Sequence, residues 1–80
     1  MAHYYFDWRE GDELITDEEG LELRGMRAVQ NEAARSLAGF AWDSVARFNG
    51  AQSHQMAIAV RDEHGPVMEV KFSFEVVRKQ

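Results

Sequence analysis

The sequence contains no cysteine. A disulfide framework and a thiolate metal site are therefore both excluded. Its apolar runs stop after a few residues, whereas a membrane-spanning helix needs about 20. No membrane segment is expected. The N-terminus lacks the basic-then-apolar order of a secretion signal and already alternates like a strand at "HYYFDW", so a cytoplasmic location is the expectation. The glycines of "EEGLELRG" are spaced wrongly for a phosphate-cradling loop. The three histidines, His3, His54 and His64, form no metal-binding pair at short spacing. Ser53 precedes His54, but neighbours on a strand face opposite ways and no third, orienting group stands near. The sequence assigns no catalytic residue, no metal ligand and no cofactor.

What is present suffices for one ordinary core. The chain has 80 residues, of which 45% are apolar, with two Trp, two Tyr and five Phe. That length implies a single domain over residues 1–80, one that buries only about 60% of the surface its unfolded chain exposes. The net charge of −5 is unevenly placed. Residues 1–23 carry eight acids and one base, and residues 24–80 carry six acids and eight bases. An acidic end repels phosphate, which argues against nucleic acid as the main partner. It suits a basic protein surface instead, and Asp17, Glu18, Glu19 and Glu22 are the candidate residues for such a contact.

Hydrophobic periodicity gives the order of elements. Tyr4, Phe6 and Trp8 alternate with His3, Tyr5, Asp7 and Arg9, the pattern of a half-buried strand. "GDE" turns the chain into a second strand, "LIT…LEL", which is short or bulged where "DEEG" interrupts it. From about Arg24 the period becomes helical: Met26, Val29, Ala33, Leu37, Phe40, Ala41, Ser44 and Phe48 form one stripe. A helix of roughly 22 residues spans about 33 Å, and Asn49–Gly50 is a sound stop for it. Two further alternating strands follow. Met56, Ile58 and Val60 share a face of one, and Met68, Val70, Phe72, Phe74 and Val76 share a face of the other. The expected fold is α+β: a two-layer ββαββ domain with one long helix on a four-stranded, mainly antiparallel sheet. Strand orders 2-1-3-4 and 2-1-4-3 both satisfy the pattern. The expected core is Tyr4, Phe6, Trp8, Val29, Ala33, Leu37, Phe40, Met56, Ile58, Val60, Val70, Phe72 and Phe74.

"DEEG" at residues 17–20 is echoed by "DEHG" at residues 62–65. A calcium loop needs oxygen ligands at alternating positions over about a dozen residues, and the spacing here fails. Asp followed by Gly has turn chemistry, from a side chain that bonds the backbone and a residue that tolerates positive φ. Both tetrapeptides are expected to be turns. The sheet face opposite the helix carries one clear aromatic, Tyr5, among mixed charges, a poor platform for stacking bases.

The outer face of the helix is more informative. Trp42 falls about 160° from the centre of the core stripe at 100° per residue. Its helical neighbours are Ala38, Gly39, Val45 and Ala46. Small residues let another surface approach, and Trp is a frequent interface anchor. Trp42 lying flat over Arg35 and its own helix, or tucked under the loop after Gly50, is the alternative.

The stretches "YYFDWREGDELITDEEGLEL", "AVQNEAARSLA" and "DEHGPV", in that order, resemble a family of small proteobacterial proteins that is a domain of unknown function. The resemblance covers residues 3–77 and implies a standalone bacterial domain with no catalytic residues to carry over. "GLELRGMRAVQNEAARSLAGF" is also similar, at the level of fold, to antitoxin domains of the HicB type, which bind a basic toxin. Three functions follow as expectations. The first is a non-enzymatic interaction or self-association module, using the Trp42 face or an exposed sheet edge. The second is an antitoxin-like binder of a basic protein partner through the acidic first hairpin. The third is a small ligand-binding protein.

Overall fold

The alternating segment at the N-terminus forms β1 (Ala2–Glu10). In the computed structural model, which describes residues 1–47 and 53–79 and only the backbone of 45–47, β1 is flanked on both sides. β2 (Glu13–Ile15) and β3 (Leu21–Leu23) pair with it antiparallel, and so does β4 (Ser53–Asp62). β5 (Gly65–Glu75) pairs antiparallel with β4. The helix, α1 (Met26–Arg47), has 22 residues. The fold is therefore α+β, with one helix on an open antiparallel sheet ordered β2-β1-β4-β5. Of the two orders that the sequence left open, 2-1-3-4 is the one realised. It makes every pair antiparallel, where the alternative would set the first and last strands side by side and parallel.

The sheet has five strands rather than four. The expected second strand is two short pieces in tandem along the outer edge of β1. Trp8 pairs with Ile15 and Tyr4 with Leu21, so residues 5–7 of β1 face residues 16–20 of the other segment. Five residues cannot pair with three, and the excess is thrown out as the DEEG loop.

α1 packs over β4 and β5. Its buried stripe is Val29, Ala33, Leu37 and Ala41, which meets Tyr4, Met56, Ile58 and Val60. Phe6, Trp8, Val70 and Phe72 pack around that cluster, half-buried. Three expectations need correction. Met26 is exposed, because it sits in the first turn, short of the sheet. Phe40 lies at the rim, stacked on Trp8 with ring centroids 4.5 Å apart and planes within 10°. Ala57, on the face away from the helix, is buried, because it stands between Arg9 and Lys71 of the neighbouring strands. The helix stop at Asn49–Gly50, the stripe position Phe48 and the loop before Ser53 lie outside the described residues. Among the described residues no helix is long and apolar enough to cross a membrane.

Candidate interaction surface

Helical geometry places Ala38, Gly39 and Trp42 together, since positions three and four apart are neighbours. All three are exposed, and Trp42 retains 76% of its accessible surface. A Cβ built on Gly39 would meet nothing within 4 Å, so the flank of the indole is open. Arg35 does not lie beneath the indole but is held by Glu32, its Nη2 donating to Oε1 at 2.7 Å and to Oε2 at 2.9 Å; the loop after Gly50, the other alternative seat for Trp42, lies outside the described residues. The side chains of Val45 and Ala46, the other two expected members, lie outside the described residues.

The acidic loop is built around Asp17, and the structure separates that residue from the other three acids. Asp17 Oδ2 accepts the N–H of Phe6 at 3.0 Å. This N–H points to the outer edge of β1, at the gap between β2 and β3, so the carboxylate takes the place of the missing strand. Oδ1 accepts the N–H groups of Glu19 at 3.1 Å and Gly20 at 3.2 Å. From the open face, Asp17 N donates to Asp7 Oδ1 at 2.9 Å, and Arg61 donates to both Asp7 Oδ2 and the Asp17 carbonyl. His3 Nε2 donates to the Glu19 carbonyl at 2.7 Å. Glu18, Glu19 and Glu22 stay exposed at the surface. The DEHG turn repeats the design on a smaller scale, with Asp62 Oδ1 accepting His64 N at 2.8 Å. Gly20 and Gly65 both have positive φ, 68° and 122°. The two tetrapeptides resemble each other because both are Asp-capped turns closed by a glycine.

Burial by itself would raise the Asp17 pKa. The backbone N–H groups of Phe6, Gly20 and Glu19 and the charge of Arg61 outweigh it, so the carboxyl is held below its ordinary 3.8. A depressed folded-state pKa stabilises the fold above the unfolded value, and that stability is lost as pH falls through the folded one. Asp17→Asn replaces one acceptor by an N–H₂ group that opposes Phe6 N–H, and it is expected to cost roughly 1–3 kcal/mol at neutral pH. The gap between wild type and variant should narrow as pH falls below about 4. Urea midpoints at pH 7, 5 and 3 measure it, and a gap constant with pH would count against the assignment.

A second polar cluster escaped the sequence reading. Glu10 Oε2 accepts from Ser44 Oγ at 3.2 Å and from His54 Nε2. The signal was present: each residue continues an inward stripe, as Glu10 follows Tyr4, Phe6 and Trp8, and Ser44 follows Leu37 and Ala41. The hydroxyl satisfies the buried Ser44 and ties the far end of α1 to β1 and β4. The carboxylate stands in the middle, so the hydroxyl proton points at the acid and not at the imidazole, the reverse of a nucleophile–base pair. Among the described residues no three His, Asp or Glu side chains are grouped to hold a metal ion. On the open face the Arg61 guanidinium lies 4.4 Å from the Tyr5 ring centroid, so one face of the expected lone aromatic there is covered.

Residues 3–73 match a family model described as a domain of unknown function, DUF6894. No curated protein and no solved structure matches the chain.

Proposed function

We propose that this chain, which belongs to the DUF6894 family, works as a non-enzymatic protein-interaction or self-association module. The observation that carries this reading is Trp42. A tryptophan 76% exposed on the last third of a helix, flanked by Ala38 and Gly39, leaves a large apolar ring in water, outside the core cluster. Burying such a ring against a partner removes well over 100 Å² of apolar surface from water, and small flanking residues admit the partner's backbone. Trp42→Glu is expected to weaken, by about tenfold or more, the assembly that native mass spectrometry records for the protein drawn from its own host. The melting temperature should be unchanged, because Trp42 packs on nothing in the core. An assembly indifferent to the substitution would overturn the role of this face.

Glu18, Glu19 and Glu22 favour a second reading, that of an antitoxin-like or regulatory binder. Glu18 and Glu19 project from a loop whose Asp17 is turned inward, and Glu22 stands beside them on β3, so an exposed acidic patch is offered to a basic protein. A basic chain in the same mass spectrum, released by salt and by Glu18→Gln with Glu19→Gln, would select this reading over the first.

A further inference from the structure

The two edges of the sheet are made differently. The β2–β3 edge is two three-residue strands broken by the DEEG loop and lined with carboxylates, which are devices that discourage pairing with another strand. The β5 edge is one strand of eleven residues, regular from Met68 to Glu75 and bulged at Val67. Its helix-side residues Met68, Val70 and Phe72 are half-buried, whereas their β4 partners Met56, Ile58 and Val60 are buried.

The hydrogen-bonding groups of that edge follow from parity. Gly11 N donates to Gln55 O, in line with the β1–β4 register, so the odd residues of β1 and β4 bond to each other. The even residues of β4 therefore bond to β5, where they meet Met68, Val70 and Phe72. Over that regular stretch the odd residues of β5, namely Glu69, Lys71 and Ser73, turn their N–H and C=O groups outward. Val67 is the extra residue of a bulge, since Val60 pairs with Met68 but Arg61 with Pro66, so Pro66 and Gly65 lie beyond the regular part of the edge.

We infer that the partner of the β5 edge is a second copy of this chain, paired antiparallel about a two-fold axis through Val70. A closed two-fold pairing of identical antiparallel strands sets one residue opposite its own copy. With Val70 at the centre, Glu69 faces the second copy's Lys71 and Lys71 faces its Glu69. Met68 faces Phe72, so the paired stretch runs from Met68 to Phe72 and stops short of the bulge at Val67. Within one copy Lys71 Nζ lies 3.6 Å from Glu69 Oε1 on the exposed face, an exposed pair that exchanges for the two cross-copy pairs on dimerisation. A centre at Glu69 or at Lys71 sets like charges opposite each other, and a centre at Phe72 sets Glu69 against Glu75. Parallel pairing would lay Glu69 beside Glu69. Charge thus chooses one register. The axis stands normal to the sheet, so both helices lie on one side of a continuous ten-stranded sheet. The dimer then offers two Trp42 faces in the same direction, the arrangement of a bivalent docking surface.

This inference rests on the self-association reading of the preceding subsection. Its test is sedimentation velocity across a concentration series for wild type, Glu69→Lys, Lys71→Glu and the double charge swap, with Trp42→Glu beside them. All the charge changes are on the open face, away from the core, and circular dichroism confirms folding. Wild type is expected to dimerise, each single change to weaken the dimer about tenfold or more, and the double swap to restore it. Failure of the swap to rescue, or a dimer that ignores both single changes, overturns the edge pairing. If that dimer dissolves with Trp42→Glu, the module reading survives without the β5 edge. A wild-type protein that stays monomeric overturns the edge pairing, and with no second protein in the native spectrum it overturns the module reading as well.

Discussion

Gly20→Ala is expected to cost about 3 kcal/mol, whereas Gly65→Ala should cost about 1 kcal/mol. Both glycines have positive φ, 68° at Gly20 and 122° at Gly65, so a side chain strains the backbone at either site, and at Gly65, outside the left-handed well, that strain is the whole of the cost. They differ in space. A Cβ on Gly20 would stand 2.6 Å from the Tyr4 carbonyl oxygen and 2.7 Å from His3 Nε2, while a Cβ on Gly65 would meet nothing within 4 Å. The imidazole could swing away at the loss of its bond to the Glu19 carbonyl. The carbonyl cannot, because Tyr4 is held in register with Leu21 and its ring lies in the core. The alanine would push the DEEG loop off β1, and with it the Asp17 carboxylate that caps Phe6 N–H. Urea unfolding followed by circular dichroism measures both variants. A loss at Gly20 no larger than that at Gly65 would mean that backbone strain alone matters, and that the close approach at Tyr4 does not.

The same comparison shows what the sequence carries and what it does not. The period-two stripes through Tyr4, Met56 and Val70 and the helical stripe through Val29, Ala33 and Leu37 are local patterns, and they specify strands, helix and core because burial acts on every residue of a face. Asp17 and Gly20 were legible as turn residues for the same reason, since Asx bonding and positive φ act within four residues. Arg61 was not. Its partners Tyr5, Asp7 and Asp17 are brought together only by the β1–β4 register, and nothing local distinguishes that arginine from Arg9. Strand order was likewise open, because hairpin chemistry fixes neighbours in sequence and leaves the placement of β4 to packing. The Glu10, Ser44 and His54 cluster lay between these cases. Each of its members sits on an inward stripe, but a polar residue there shows its role only when its partners from distant elements are known. On the candidate surface, periodicity put Trp42 outward, and the exposed indole agrees. Its alternative placement over Arg35 fails because Glu32, one turn away, captures the guanidinium.

Ile58→Ala is expected to remove about 3–4 kcal/mol, toward the upper part of the range for such truncations. The size follows from position. Ile58 is 1% exposed and stands mid-sheet on β4, between Trp8 of β1 and Val70 of β5, on the face that α1 covers. A cavity there is walled by β1 and β5, which are held in register by their hydrogen bonds to β4 on either side, so the surroundings collapse little into it. At roughly 0.05–0.15 kcal/mol per residue, a chain of this length has only about 4–12 kcal/mol of total stability, and this one substitution takes a large share of it. Ile58→Val keeps most of the volume and should cost about 1 kcal/mol. Phe40→Ala removes a larger side chain but from the exposed rim, and it should cost less than Ile58→Ala despite the greater area deleted. That inversion is the informative part, because a stability set by side-chain size alone would rank the two the other way. Urea midpoints at constant m-value decide it. The result also bears on function: β4 is the strand against which both α1 and β5 pack, so the Trp42 face and the β5 edge keep their relative geometry only while the Ile58 layer is filled.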